Sequence, residues 1–224
     1  MKVLRDVEER LRSYLGLKYH LVGVKLFREV SPKDSFPRPE KPVALCQMIR
    51  ESSTRGASFL YGLDDEKCPT ARVVLGFRDF KHLNVSFKVV QSGTRGVLVS
   101  PLDRMSYTPD VVLAVLTPKQ MMDLTVILHA EENVPLSAEF TGEHACAEFF
   151  AKPYLEGKSN LSLLCNGARE VYSDFRDNEV VFGAPLEVYL RAAKTVERIT
   201  KMGGALCGCR TSDIPAEIVN EFMK

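Results

Sequence analysis

Cysteine and arginine recur together in this chain as Cys68-Pro69-Thr70-Ala71-Arg72 and Cys165-Asn166-Gly167-Ala168-Arg169, one Cys-x-x-Ala-Arg pattern written twice. A further cysteine precedes each copy at a similar distance, Cys46 ahead of Cys68 and Cys146 ahead of Cys165. Four thiols therefore follow one repeated plan. A cysteine at a helix start lies near unpaired amide hydrogens and the positive end of the helix dipole, and both favour thiolate. An arginine four residues on adds positive charge one turn away. Cys68 and Cys165 are accordingly expected to be low-pKa sulfurs competent to bind a ligand.

If the two copies pack about a dyad, Cys46, Cys68, Cys146 and Cys165 converge on one centre. Four thiolates are what a 4Fe-4S cluster or a structural zinc requires, with Arg72 and Arg169 offsetting the negative charge. The spacing contains neither Cys-x-x-Cys nor the usual ferredoxin run. Three other readings of the same residues stay open. Cysteine is also a small, commonly buried hydrophobe. Thiol-disulfide exchange needs two cysteines with Cα atoms within roughly 7 Å. In a metal-free binding module, Asn166, Gly167 and the repeated glycine and cysteine segments would line a cleft, and Arg72 and Arg169 would clamp an anionic small molecule.

Other residues carry weaker signals. Cys207-Gly208-Cys209-Arg210 sits in a glycine-rich turn and reads more readily as a helix exit than as a chelating or redox pair. His144, close to Cys146, is a candidate ligand or proton donor, and Glu66, Glu143 and Glu148 are candidate acid-base groups. No Walker loop, Gly-x-Gly-x-x-Gly fingerprint or Gly-x-Ser-x-Gly elbow occurs.

The elements that must position the cysteines are legible from periodicity. Val3, Leu4, Val7, Leu11 and Tyr14 predict an amphipathic helix over 2–15, stopped by Gly16. Residues 21–27 read as a strand, 31–42 as a loop with four prolines, 57–62 and 96–100 as strands, and 111–116 as a buried strand. Helices are expected from Cys46 to about Gly56 and after Cys68-Pro69. Another should run from the Thr117-Pro118-Lys119-Gln120 capping box to about His129, and a last one from Pro185 to Gly203. Met121-Met122 is expected in the core. Strands alternating with helices imply an α+β fold, internally duplicated, with mixed sheets covered by helices in a pseudo-two-fold arrangement. The halves would be 1–105 and 106–224, separate or fused as one domain.

At 224 residues, 45% hydrophobic and 26% charged, the chain has an ordinary globular composition. Thirty basic against 29 acidic residues give a net charge of +1, so no field of one sign draws it to nucleic acid or anionic lipid. A charged N-terminus and the lack of a long apolar run imply a cytoplasmic protein without a membrane span. In that setting six cysteines read as thiols or metal ligands rather than disulfides. With four scattered histidines, a histidine-rich zinc site is poorly supported.

Leu45-Cys46-Gln47, Cys68-Pro69, Pro109-Asp110-Val111-Val112-Leu113, Cys146, Pro153-Tyr154, Asn160 and Cys165-Asn166-Gly167-Ala168-Arg169 together resemble the family known as domain of unknown function 169, whose members are archaeal and bacterial. The resemblance extends from Gly16-Leu17-Lys18 to Phe182-Gly183-Ala184-Pro185. It implies that the four cysteines occupy the family's cysteine positions and that Arg169 occupies the position following its Cys-x-Gly segment. The Cys207-Gly208-Cys209 tail departs from the pattern. The expectation is a redox or metal-binding protein holding an iron-sulfur cluster between its halves, with zinc or no metal as alternatives. Its partner would be a redox enzyme or a small-molecule ligand, and self-association stays open.

Overall fold

The computed structural model describes residues 2–29, 36–79, 86–132 and 135–201. The chain opens with α1 (Lys2–Leu15), which buries Leu4, Val7, Leu11 and Leu15 at helical spacing. It ends where Gly16 takes the left-handed φ of +60° that a side chain would resist. Strand β1 (Val22–Phe27) follows, then α2 (Leu45–Arg55), β2 (Phe59–Tyr61), α3 (Pro69–Val74) and β3 (Gly96–Pro101). The second stretch runs through β4 (Val111–Leu116) and α4 (Pro118–Glu132) to a π-helical turn, Ala147–Ala151, that leads into α5 (Lys152–Glu156). After it come β5 (Asn160–Ser162), a second π-helical turn at Gly167–Val171, β6 (Val180–Ala184) and α6 (Leu186–Lys201). The expected capping box is in place: Gln120 N–H reaches Thr117 Oγ1 at 3.3 Å, and Gln120 Oε1 accepts from Thr117 N–H at 2.9 Å.

The fold is α+β, and the strands of both halves form one sheet of six in the order β2-β3-β1-β4-β6-β5. Every pairing within it is antiparallel, where strand-helix alternation suggested mixed sheets. The two inner strands join the halves, with Val22, Gly23 and Val24 opposite Leu113, Val112 and Val111. Read from either edge the order is the same. The first strand of each half (β1, β4) lies innermost, the second (β2, β5) at the edge and the third (β3, β6) between them. An antiparallel seam with this palindrome suggests an internal duplication about an axis through the β1–β4 pair. Helix α4 interrupts it, since the first half has no described helix between β1 and α2.

Helices cover both faces, so the strands read as continuous apolar runs. On one face Val112, Ala114, Leu116, Phe182 and Ala184 pack under α1, α4 and α6. On the other, Val111, Leu113, Val115, Val97, Val99 and Val181 pack under α2, α3 and the π-helical turns. All four cysteines lie on this second face. Of the methionine pair, Met121 is in the core, whereas Met122 is exposed on the outer side of α4.

Among the described residues, no helix is long and apolar enough to cross a membrane. Cys207, Cys209, His82 and the expected stop at Gly203 lie outside the described residues.

Candidate functional site

Each half delivers its two thiols by the same local device. Cys46 is the second residue of α2, and Cys146 is the second residue of the helix that begins at Ala145. Cys68 is the residue just before α3, and Cys165 stands just before the helical turn that opens at Asn166. Four helix starts thus aim at one place. All four cysteines, half-buried, line a single cavity of about 40 Å³ together with Ala44, Ala71, Ala145, Gly167, Ala168 and Tyr172. All four are free thiols.

The repeated pattern now has a physical reading. In both copies the arginine N–H bonds the cysteine carbonyl, Arg72 to Cys68 at 3.2 Å and Arg169 to Cys165 at 3.1 Å, which winds the first turn. The alanine one place earlier is buried against the cavity and leaves room for sulfur. The guanidinium then reaches back to the carbonyl two residues before the cysteine: Arg72 Nε to Glu66 O at 2.6 Å, and Arg169 Nη2 to Leu163 O at 2.7 Å. Arg169 also donates to the carbonyls of Arg176 and Glu179. Arg169 thus holds three backbone carbonyls, and Arg72 gives its Nε to one. Asn166 turns its amide to Glu170, with donor distances of 3.0 and 3.3 Å. A Cβ on Gly167 would lie 3.3 Å from the Tyr172 ring and 3.6 Å from the Cys165 sulfur, so glycine there lets the ring close over the thiol.

Cys68 is not the low-pKa sulfur that its position at a helix start suggests. Burial pushes its thiol up and outweighs the nearby amides of Ala71 and Thr70. Burial does the same to Cys46 and Cys146, and the mutual repulsion of the sulfurs adds to it in both. Cys46, Cys68 and Cys146 therefore favour the protonated thiol in the metal-free protein, and a cation bound to them must displace protons.

The sulfurs are neighbours without being in contact. Among the described residues, the three donor atoms found within 4.8 Å of one another belong to Glu8, His20 and Asp103, so no three of the sulfurs stand that close. That other cluster lies under α1. The Arg12 guanidinium, 3.5 Å from Glu8 and 3.3 Å from His20, places positive charge in the same corner, and the group serves to fasten the helix.

Glu66, fully buried, is the carboxylate nearest the centre. One oxygen accepts the amide of Leu45 at 3.1 Å and the other that of Cys68 at 2.8 Å. Burial pushes its carboxyl up to about 7 from an ordinary 4.5. A carboxyl raised on folding holds its proton longer in the native state, so its contribution to stability is complete below about pH 4.5 and is lost as pH rises to about 7. The metal-free protein is expected to lose stability on the order of 3 kcal/mol across that window from this group. Glu66→Gln should flatten the slope in denaturant titrations at several pH values. A wild-type slope of opposite sign would contradict the assignment.

Glu148 is also buried, whereas Glu143 is exposed and meets only His144 at 3.8 Å. His144 lies outside the cavity, its ring against Phe87 with centroids 4.0 Å apart. Three features were not expected from the sequence. Tyr61 is buried beside Glu66, and its phenol is pushed up by burial, Glu66 and the thiols of Cys146 and Cys46. Tyr172 walls the cavity and on its other side lines a groove of about 620 Å³ beside α2. Leu164, just before Cys165, is the described non-glycine residue with a left-handed backbone, φ +68°, a conformation costing roughly 1 kcal/mol.

The DUF169 family model, described as an uncharacterised ArCR, matches residues 10–88 and 81–195. The chain belongs to this family. The two matches meet between β2 and β3, and together they take in all four cysteine segments of the DUF169 protein. No curated protein and no solved structure matches it.

Proposed function

We propose that this DUF169 protein is a redox protein that binds an iron-sulfur cluster through Cys46, Cys68, Cys146 and Cys165. The observation that carries the reading is the convergence of four free thiols, from four helix starts in two matching halves, on one cavity whose remaining walls are alanines, Gly167, Leu45, Phe149 and Tyr172. Their spacing favours a cluster over one ion. Four thiolates at about 2.3 Å from a single zinc stand about 3.8 Å apart, closer than any three of these sulfurs are. A cubane takes one thiolate at each of its four irons and so spreads them. The void of about 40 Å³ is smaller than a core of four irons and four sulfides. A cluster held by these four cysteines would therefore need more room than the metal-free void offers, and the half-buried Tyr172 is a wall that could yield it.

When bound, such a cluster supplies one-electron transfer. The chain's own contribution is positional and electrostatic. Helix-start amides face the sulfurs and offset thiolate charge. Arg72 and Arg169 hold the loops that carry Cys68 and Cys165 while keeping positive charge one turn away. Apolar walls exclude water, which lowers the potential at which an electron is accepted by an already anionic centre. The partner would be a redox enzyme approaching from the Tyr172 side, where the groove reaches the wall of the cavity.

Anaerobic reconstitution with iron and sulfide, and separately with zinc, tests the reading on the wild type and on four single Cys→Ser variants. The wild type should develop visible absorption that bleaches on reduction, and each variant should lose most of it. Uptake of zinc alone, or iron uptake indifferent to all four substitutions, would overturn the proposal.

A further inference from the structure

We infer that Glu66 and Glu148 are positioning residues of the sulfur centre, each a buried carboxylate that ties together the two cysteine-bearing segments of its own half. The inference rests on the cluster reading above and adds to it the groups that set the distances between the thiols.

In the first half, Glu66 lies between two helix starts. Its Oε2 takes the amide of Leu45, the first residue of α2 and the neighbour of Cys46, at 3.1 Å. Its Oε1 takes the amide of Cys68 itself at 2.8 Å. The Glu66 carbonyl is held in turn by Arg72 at 2.6 Å, so both ends of the residue are fixed. Only an acceptor with two equivalent oxygens satisfies both amides at once. A buried carboxylate is costly to desolvate, and these bonds offset only part of that cost, burial still raising its pKa.

In the second half, Glu148 follows Cys146 by two residues and is likewise buried. Its Oε1 accepts from the amide of Thr141, from Thr141 Oγ1 at 2.8 Å and from the amide of Gly142 at 3.0 Å, which fixes the entry to the Cys146 helix. Its Oε2 accepts from Ser162 Oγ at 2.6 Å, and Ser162 Oγ accepts the amide of Leu164 at 3.0 Å. Leu164 precedes Cys165 and is the residue held in the left-handed conformation. The chain of bonds thus runs from the helix of Cys146 to the backbone that presents Cys165. The two carboxylates occupy different sequence positions in their halves yet do the same work.

They differ in one respect that gives the test a second readout. Glu66 accepts the amide of a cysteine itself, Cys68, at 2.8 Å, whereas Glu148 reaches the Cys165 segment only through Ser162 and the amide of Leu164. Neutralising Glu66 should therefore shift the reduction potential of a loaded centre, and neutralising Glu148 should not.

The experiment loads wild type, Glu66→Gln, Glu148→Gln, Ser162→Ala and, as a control, Glu187→Gln with iron and sulfide. Glu187 is exposed on α6, on the opposite face of the sheet. Iron loss to a ferrous chelator and the midpoint potential are then followed. Loss should be about 10- to 100-fold faster in the three site variants, the range typical for removing a group that orients a ligand, and unchanged in Glu187→Gln. The potential should rise in Glu66→Gln alone. A wild type that takes up no iron would end the cluster reading itself. A wild type that loads normally, with Glu66→Gln and Ser162→Ala holding iron equally well and at the same potential, would overturn this inference. Should either glutamine variant fail to fold, Ser162→Ala, which removes the hydroxyl that links Glu148 to the Leu164 amide, decides the matter by its rate of iron loss.

Discussion

Gly183→Ala is expected to destabilise the protein by about 3 kcal/mol or more and to abolish a correctly formed thiol centre. Gly183 is in β6, opposite Leu113 on one side and Asn160 on the other, and its open face meets the π-helical turn after Cys146. A Cβ there would lie 1.8 Å from the carbonyl oxygen of Phe149 and 2.7 Å from its carbonyl carbon. The obstacle is backbone, so the whole turn must retreat from the sheet and carry Cys146 with it. Gly23→Ala provides the comparison. Its Cβ would meet the Met105 sulfur at 2.1 Å, an obstacle in a flexible side chain rather than in backbone. That variant should cost only about 1 kcal/mol. Thermal melts of the two variants, read beside thiol accessibility in the native state, check the contrast. Equal and mild effects would mean that the Cys146 turn is not packed on β6 as described.

Arg50→Met is expected to cost about 3 to 5 kcal/mol, the usual consequence of leaving one member of a buried ion pair alone. The Arg50 Nη1 group lies 3.2 and 3.1 Å from the two oxygens of Glu179, and its Nε lies 2.9 Å from Asp174. Tyr19 donates to Glu179 at 2.7 Å, and the Arg176 amide does so at 2.8 Å. The guanidinium also lies over the rings of Tyr19 and Phe175, at 4.9 and 5.1 Å. Arg50 belongs to α2, which carries Cys46, and Glu179 to the segment between the Cys165 turn and β6, so the pair straps one half to the other. Lysine cannot replace the planar fork. The double variant Arg50→Met with Glu179→Gln should recover a large part of the loss, because no uncompensated charge is then buried. Denaturant midpoints of the single and double variants give the coupling directly. Additive losses would show the strap to be idle.

Much of this architecture could be read before any coordinates. The recurrence of Val3, Leu4, Val7, Leu11 and Tyr14 announces α1, although Val3 is exposed; the Thr117–Gln120 box fixes the start of α4, and the run 111–116 declares a buried strand. These signals are local, so sequence carries them. Strand β5 escaped because it has three residues and its polar members turn inward, Asn160 to the carbonyl of Glu148 and Ser162 to its carboxylate. The π-helical turns leave no periodicity to find, yet such turns are frequent at functional sites, and both of these follow a cysteine.

The site was legible in part for the same reason. Repetition exposed the four cysteines and the two arginines, but not that the guanidiniums bind carbonyls, because backbone geometry decides that. Nor could spacing reveal how far burial outweighs the amides at Cys68. Tyr172 was invisible because the repeat does not include it. The first half has buried Leu75, which does not line the cavity, at the corresponding place in its own Cys-x-x-Ala-Arg segment.

Iron and acid-labile sulfide determined on protein purified without oxygen test the central claim most directly. About four of each per chain are expected, falling together when any one of Cys46, Cys68, Cys146 or Cys165 becomes serine. Protein free of both, still refusing them on anaerobic reconstitution while all four thiols remain titratable, would contradict it.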